Sequence, residues 1–171
     1  MREFSGISLI ETGIWYEPDS LCAGDACLTG GGAFTELEYF SISFPDIFED
    51  VPIHILEFIV LIISCKVWGP QWGRLCISVY CDNESVVQTI TNQKPKDEKL
   101  QSCLRELLFL ESKYSFRIRA IHISTKKNHV ADYISRVHDD TFIQEYFKAV
   151  GLKSKRKVDI PTSFYLQWNS W

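Results

Sequence analysis

The sequence predicts one α/β domain with a mixed five-stranded sheet and helices on both faces. Five short runs combine apolar, β-branched and aromatic residues in the manner of strands, and longer apolar segments between them have helical spacing. Their order is three strands, a helix, a strand, two helices, a strand and a helix, which is typical of a mixed sheet covered on both sides. A length of 171 residues, with 46% hydrophobic and 23% charged residues, is sufficient for a single domain with a sizeable core.

The first three predicted strands follow a mixed lead-in segment, residues 1–20, and contain a glycine run. Residues 21–27 are mainly apolar with a single acid, Asp25, and residues 39–44 alternate apolar and polar side chains. We expect residues 30–32, which are three consecutive glycines, to allow a sharp turn and close backbone packing, in a hairpin that leads into a second strand from Ala33. A glycine-rich phosphate loop is the competing interpretation, but no Gly-Lys-Ser or Gly-Lys-Thr ending follows the run.

A buried helix is predicted over Ile53–Trp68, because this segment is apolar nearly all round and stops at Gly69-Pro70. Glu57 is the anomaly in this helix, since an acid in a buried position is seldom there without a partner. A favourable charge near the start of the helix is the alternative explanation.

The second half of the chain supplies two more strands and the remaining helices. Residues 75–81 form a short apolar run that ends at Asp82, in a polar cluster typical of a helix start. Glu98–Tyr114 carries a broad apolar stripe, residues 117–123 alternate as a fifth strand, and another helix begins at His129.

Beyond that helix, the sequence predicts a further helical piece over residues 142–149 and then a basic cluster at residues 153–157. We therefore divide the chain into the lead-in, a domain over residues 21–138, and a C-terminal helix with a basic tail over residues 139–171. If the basic tail holds phosphates, removing it should weaken binding to nucleic acid.

Four acidic residues occupy positions from which they could share one edge of the sheet. Asp25 lies in the first strand and Asp82 closes the fourth, so both reach that edge if these strands are neighbours. Glu57 and Asp132 could then overhang the edge from the flanking helices. Four ionised carboxylates repel one another unless protons or cations are bound, and such oxygen ligands suit Mg²⁺ or Mn²⁺. Two ions about 4 Å apart would activate water and stabilise the leaving oxygen in phosphodiester cleavage.

Four segments of the sequence resemble, in order, the motifs of ribonuclease H domains attached to retroelement reverse transcriptases. They are residues 25–33, 53–57, 81–83 and 122–136. The last segment contains Ala-Asp-Tyr-Ile-Ser-Arg, which is similar to the Ala-Asp-x-Leu-Ser-Arg ending of these domains. The likeness covers residues 20–138 and is nearest to DIRS-like and Gypsy-like retrotransposons.

This resemblance implies a ribonuclease H-like fold and an enzyme that hydrolyses the RNA strand of an RNA–DNA hybrid with two Mg²⁺ or Mn²⁺ ions. It implies that the metal ligands are Asp25, Glu57, Asp82 and Asp132. It also implies that His122 assists proton transfer or product release, although the end of an edge strand is an equally ordinary place for a structural histidine.

Substrate contacts are expected close to the acids, at Ser85, Lys126, Lys127 and Asn128. Within the closing motif, Asn128 and Arg136 are also expected to hold the last loop and helix in place. The resemblance further suggests a reverse transcriptase polymerase domain as a partner, since the chain contains no polymerase motif of its own.

A different class of function stays open, namely a non-catalytic ribonuclease H-like module that binds nucleic acid or a protein. The formal net charge is −4, which argues against a surface that grips nucleic acid by bulk attraction. Residues 92–97, between two predicted helices, are also too few for the basic handle with which some ribonucleases H hold substrate. An exonuclease or integrase on the same fold fits the motifs less well.

The sequence indicates a soluble intracellular protein, cytoplasmic or nuclear, without a membrane partner. The longest apolar run, residues 58–65, is too short to span a bilayer, and the N-terminus lacks the order of a secretory signal. The six cysteines lie mostly in apolar runs and show neither a CxxC pair nor zinc-ligand spacing, which favours free thiols in a reducing compartment.

Overall fold

A six-stranded mixed sheet runs through the centre of the computed structural model, which describes residues 17–136 and 155–170. In spatial order the strands are β5, β4, β1, β2, β3 and β6. Strands β1, β2 and β3 pair antiparallel, β4 and β5 run parallel to β1, and β6 runs parallel to β3. Their bounds are β1 Ser20–Cys27, β2 Gly30–Phe34, β3 Glu38–Ser43, β4 Cys76–Cys81, β5 Arg117–His122 and β6 Arg156–Lys157.

Four α-helices are described, and their order along the chain agrees with the predicted one. They are α1 Ile53–Trp68, α2 Glu84–Asn92, α3 Glu98–Tyr114 and α4 His129–Arg136. Helices α1 and α3 pack together on one side of the sheet, whereas α4 packs on the other side against β1 and β2. The expected α/β architecture with helices on both faces is therefore confirmed. The predicted helix over residues 142–149 lies outside the described residues.

Helix α1 is the centre of the hydrophobic core, as its all-round apolar sequence predicts. Eleven of its residues are buried, including Phe58 and Trp68. By length and composition alone, Ile53–Gln71 would suffice to cross a membrane, although the apolar run at residues 58–65 is too short to do so. However, 67% of its most apolar 18-residue window is buried within the fold, as is typical of a core helix.

The glycine run lies in a strand and not in the predicted turn, whereas the close packing expected at these glycines is observed. The turn between β1 and β2 falls at residues 28–29, and all three glycines belong to β2. A Cβ atom on Gly31 would lie 2.3 Å from Val60 Cγ2 of α1, and one on Gly32 would lie 2.4 Å from Ile134 Cγ2 of α4. The absence of side chains therefore lets helices approach β2 from both faces of the sheet.

The sheet has six strands rather than the five predicted, because a piece of the basic cluster pairs with the edge of β3. Arg156 lies opposite Glu38 in this pairing, and its guanidinium forms an ion pair with the Glu38 carboxylate. Trp68 Nε1 donates to the same carboxylate at 2.8 Å, and the hydrogen bond from Arg156 is the main cause that lowers the pKa of Glu38. The register of β6 thus depends on a side-chain network, which hydrophobic periodicity cannot reveal.

Residues 155–170, called here the C-terminal segment, fold back onto the domain. Lys155 Nζ donates to two backbone carbonyls, Thr35 O at 2.7 Å and Glu36 O at 2.6 Å. Further along, Trp168 is buried and stacks on Phe48 with 5.8 Å between ring centroids. Because Lys155 and Arg156 fasten this segment to the sheet, its removal should act mainly on stability rather than on phosphate contacts.

The aromatic packing of the C-terminal segment leads to a stability prediction. Trp168→Ala should lower the free energy of unfolding by about 3–5 kcal/mol, because the ring is 6% exposed and its removal leaves a cavity against Phe48. Leu166→Ala is the matched control, since Leu166 is 41% exposed and should change stability by about 0.5 kcal/mol or less. Urea unfolding measures both, and equal effects would contradict a docked segment.

Candidate active site

Two neighbouring parallel strands bring the first two acids to one edge of the sheet. Strand β1 pairs with β4 in parallel, with Ala23 opposite Tyr80. Asp25 lies two residues beyond Ala23, and Asp82 directly follows β4, so both carboxylates emerge at the same edge. Glu57 approaches from α1 on one face and Asp132 from α4 on the other. The predicted pairing of the first and fourth strands is confirmed.

Glu57 and Asp82 meet at this edge together with a thiol. One ligand atom from each of Glu57, Cys81 and Asp82 lies within 4.8 Å of the other two. Cys81 Sγ is 3.9 Å from Glu57 Oε2, and burial holds the pKa of this thiol well above its usual range. The thiol is therefore neutral, and carboxylate oxygens are the charged atoms at the site that could bind a metal ion.

Burial and the charges of neighbouring acids raise the pKa values of two of the four acids. Burial, followed by the charges of Asp82 and Asp132, raises the pKa of Asp25 to about 7. Burial, followed by the charges of Asp25 and Asp82, raises the pKa of Glu57 to about 8. Groups of this kind bind either protons or cations, and buried carboxylates that repel one another suit a divalent ion with oxygen ligands.

Asp132 forms an ion pair with an arginine of its own helix, Arg136. Arg136 Nε and Nη2 both donate to Asp132 Oδ1, at 3.0 Å and 2.8 Å. The two residues are four apart, so they lie on the same face of α4. The expected role of Arg136 in holding the last helix takes this form, as an ion pair next to the acids.

Asn128 does not have the exposure that a direct substrate contact requires. It is 2% exposed, and its Nδ2 donates to Gly24 O at 3.3 Å and to Asp82 Oδ1 at 3.4 Å. The expectation that Asn128 binds substrate is therefore replaced by a supporting role, in which the amide holds Asp82 against β1. Its other expected role, holding the loop before α4, agrees with these contacts.

The remaining candidates surround the acids at the surface. His122 is exposed at the end of β5, and its Nε2 lies 3.2 Å from the backbone oxygen of Asp82. Lys126 and Lys127 are exposed in the loop that leads to α4. Ser85 is half-buried in the first turn of α2, where its backbone N–H donates to Asn83 Oδ1 at 3.0 Å.

Two polar residues at the acids were not assigned a role from the sequence. Asn83 caps α2, and its side chain also bonds Glu57, which partly offsets the rise in the pKa of that acid. Ser135 Oγ donates to Asp25 Oδ2 at 3.2 Å. Helical spacing could have identified Ser135, because it follows Asp132 by three residues and so shares a face of α4 with it.

Comparisons with known proteins agree with this geometry. A family described as reverse transcriptase-like matches residues 68–138. A ribonuclease H1 from the halophilic archaeon Halobacterium salinarum NRC-1 aligns over 71% of this chain and 98% of its own, with 12% identity and a TM-score of 0.55. LC11-RNase H1, solved in complex with an RNA/DNA hybrid, aligns over 71% of this chain and 97% of its own, with 16% identity and a TM-score of 0.61. The chain has a ribonuclease H-like fold.

A third structure, the N-terminal ribonuclease H domain of a Mycobacterium tuberculosis protein, aligns over 69% of this chain and 96% of its own. Its identity is 15% and its TM-score 0.51. No curated protein matches the sequence. These solved ribonuclease H domains therefore correspond nearly in full to a part of this chain, and identities this low describe the fold alone.

The ribonuclease H-like fold places Asp25 where its charge costs stability. Because its pKa rises from 3.8 to about 7 on folding, the folded state holds more protons than the unfolded state between those values. The metal-free protein should therefore lose stability as the pH rises through this window, and the part of the loss that is due to Asp25 is complete above about pH 7. Asp25→Asn should raise the melting temperature at pH 8 and flatten the pH dependence between pH 5 and pH 8.

Melting curves in chelator and across a Mn²⁺ series test this expectation. Asp50→Asn is the matched control, because Asp50 is exposed away from the four acids and should change neither the pH dependence nor the effect of Mn²⁺. Mn²⁺ should stabilise the wild type more than Asp25→Asn, since a ligand of the folded state shifts unfolding by mass action. Flat melting temperatures for all three proteins would exclude a shared acidic site.

Proposed function

We propose that this ribonuclease H-like domain is a metal-dependent endonuclease that hydrolyses the RNA strand of RNA–DNA hybrids. The observation that carries the proposal is the convergence of Asp25, Glu57 and Asp82 at one sheet edge, where burial and neighbouring charges raise the pKa values of Asp25 and Glu57. Perturbed carboxylates that cluster in this way are typical of functional sites rather than of structural ones. The likeness to a ribonuclease H1 solved with an RNA/DNA hybrid supports the choice of substrate.

In this proposal the four acids hold two divalent ions, Mg²⁺ or Mn²⁺. When bound, such ions would activate water and stabilise the leaving oxygen of the RNA phosphodiester. Asp25 and Asp82 are the central ligands, because they reach the edge from adjacent strands. Glu57 and Asp132 complete the set from the two faces of the sheet. To bind a metal ion, the Asp132 carboxylate would give up part of its contact with Arg136.

His122 is proposed to exchange a proton with the leaving group or with the product. It is exposed beside Asp82, and histidine is the side chain best suited to exchange protons near neutral pH. The bond between its ring Nε2 and the Asp82 carbonyl oxygen would orient the imidazole over the acids.

Hybrid binding is proposed to depend on a few local contacts. Lys126 and Lys127 flank the acids on an exposed loop, and Ser85 lies in the first turn of α2, where helix N–H groups favour a phosphate. The link between α2 and α3 has only residues 93–97, so it forms no basic handle. With a net charge of −4, affinity should be modest and sensitive to salt.

The motif resemblance supports an origin in a DIRS-like or Gypsy-like retrotransposon, with a reverse transcriptase polymerase domain as partner and an intracellular location. The acidic net charge and the short link between α2 and α3 favour a second candidate, a non-catalytic module that binds nucleic acid or protein. Cleavage by the wild type separates the two candidates.

Asp82→Asn should abolish cleavage while the fold persists. The amide keeps the shape of the side chain but loses its charge, and changes in even the outer partners of metal ligands cost about 10–100-fold. We expect a loss of at least about 100-fold with a labelled hybrid in Mg²⁺. Asp19→Asn is the matched control, because Asp19 bonds Cys76 N at the opposite end of β4. Near wild-type cleavage by Asp82→Asn would show that the site is wrongly assigned.

Replacing Lys126 and Lys127 with alanine should weaken hybrid binding at low salt. Each lost phosphate contact should reduce the slope of log K against log salt by about 0.7–0.9. Lys113→Ala is the control, since Lys113 is exposed at the end of α3, near the start of β5 and away from the acids. Fluorescence anisotropy across a salt series gives the slopes. An unchanged slope in the double variant would assign phosphate binding elsewhere.

A further inference from the structure

Ser135 is a buried polar residue on the face of α4 that packs against the sheet. Its exposure is 0%, and its Oγ lies 3.2 Å from Asp25 Oδ2 and 2.7 Å from the backbone oxygen of Asp132. Asp25 is itself only 6% exposed. The contact therefore joins α4 to β1 inside the fold, in a place largely shielded from water.

One hydroxyl hydrogen serves two acceptors at this position. The carbonyl of Asp132 is neutral, whereas the carboxylate of Asp25 carries a charge whenever it is ionised, and donation to a charged acceptor is the stronger bond. With Asp25 ionised, the hydrogen of Ser135 is thus directed to Asp25 Oδ2. The other hydrogen bond to this carboxylate comes from the backbone of Ala26.

The close approach of α4 to the sheet is what makes this contact possible. Gly32 lies opposite Asp25 in the pairing of β1 with β2. A Cβ atom on Gly32 would lie 3.0 Å from the backbone carbonyl carbon of Ile134, the residue before Ser135. A side chain on Gly32 would push the helix outward and would take the Ser135 hydroxyl away from Asp25.

We propose that Ser135 is a positioning residue that fixes the orientation of the Asp25 carboxylate for divalent ion binding. This inference rests on the proposed function, because it assigns Asp25 to the metal site. Ser135 is neutral, so it orients the carboxylate without neutralising it. Arginine, in contrast, would compete with the cation for the same oxygen atoms, as Arg136 would at Asp132, with which it forms an ion pair.

Ser135→Ala isolates this role, because alanine is the best helix former and keeps α4 intact. The matched control is Ser64→Ala. Ser64 is also 0% exposed on a helix, and its Oγ donates to Val60 O at 2.9 Å, a backbone bond like that of Ser135 to Asp132. The two variants lose the same kind of helix contact, and only Ser135→Ala also loses the bond to Asp25.

The experiment measures Mn²⁺ binding by calorimetry without hybrid, with circular dichroism melts of each protein in chelator. Ser135→Ala should raise the dissociation constant for Mn²⁺ by about 10-fold, the lower end for partners that orient metal ligands, while Ser64→Ala should leave it unchanged. In hybrid cleavage, Ser135→Ala should lower kcat at limiting Mn²⁺ without raising KM for the hybrid. Saturating Mn²⁺ should restore kcat, and the melts in chelator should show that Ser135→Ala is fully folded at the assay temperature, so that a general loss of stability does not account for the change.

The possible results distinguish a failure of this inference from a failure of the proposed function. A dissociation constant for Ser135→Ala within twofold of the wild type, or an equal loss in Ser64→Ala, would overturn the role of Ser135 while leaving the metal site standing. Wild-type protein that binds no Mn²⁺ would overturn both this inference and the proposed function. Gly32→Ala provides an independent check, since displacing α4 should also weaken Mn²⁺ binding in a variant that keeps Ser135.

Discussion

The parallel pairing of β1 with β4 is the constraint on which the candidate site depends. Only this pairing brings Asp25 and Asp82 to the same end of the sheet, from strands whose paired residues Leu21 and Ser78 are 57 positions apart in the sequence. Their charges then act on each other, and on Glu57, in a region that water reaches poorly. The fold thus brings together charges that repel, and the hydrophobic core around α1 supplies the stability that makes this possible.

The 57 positions that separate Leu21 from Ser78 along the chain include β2, β3 and α1. This separation is long, so the pairing must be stabilised by tertiary packing rather than by local contacts. Helix α1 provides that packing, because it lies across β1 and β2 with its apolar residues buried.

Three of the four acids, Asp25, Glu57 and Asp82, are held by neutral hydrogen-bond donors. On the side of α1, Asn83 bonds Glu57, and on the side of α4, Asn128 bonds Asp82 and Ser135 bonds Asp25. Amides and hydroxyls restrict the rotation of a carboxylate while leaving its charge in place. The arrangement suits a site that must keep its negative charge available for cations.

Much of this architecture could be predicted from the sequence, for physical reasons that differ between elements. The bounds of α1 and α3 follow from long apolar patterns with clear start and stop signals, and the acids follow from their places at strand ends and helix starts. The glycine run was assigned to a turn but lies in β2, because the sequence alone does not show which helices pack closely against a strand. Strand β6 was missed since two basic residues have no strand pattern, and the burial of Asn128 depends on how the loop folds over β1.

The short strand β6 also affects the tendency of this protein to self-associate through the edge of its sheet. Strand β3 would otherwise present unpaired N–H and C=O groups along the border of the sheet, which is a template for another chain. By pairing with Glu38 and Tyr39, β6 occupies part of that border, and the charged side chains of Arg156 and Lys157 accompany it. The C-terminal segment thereby discourages self-association through β3, so its presence bears on solubility as well as on folding.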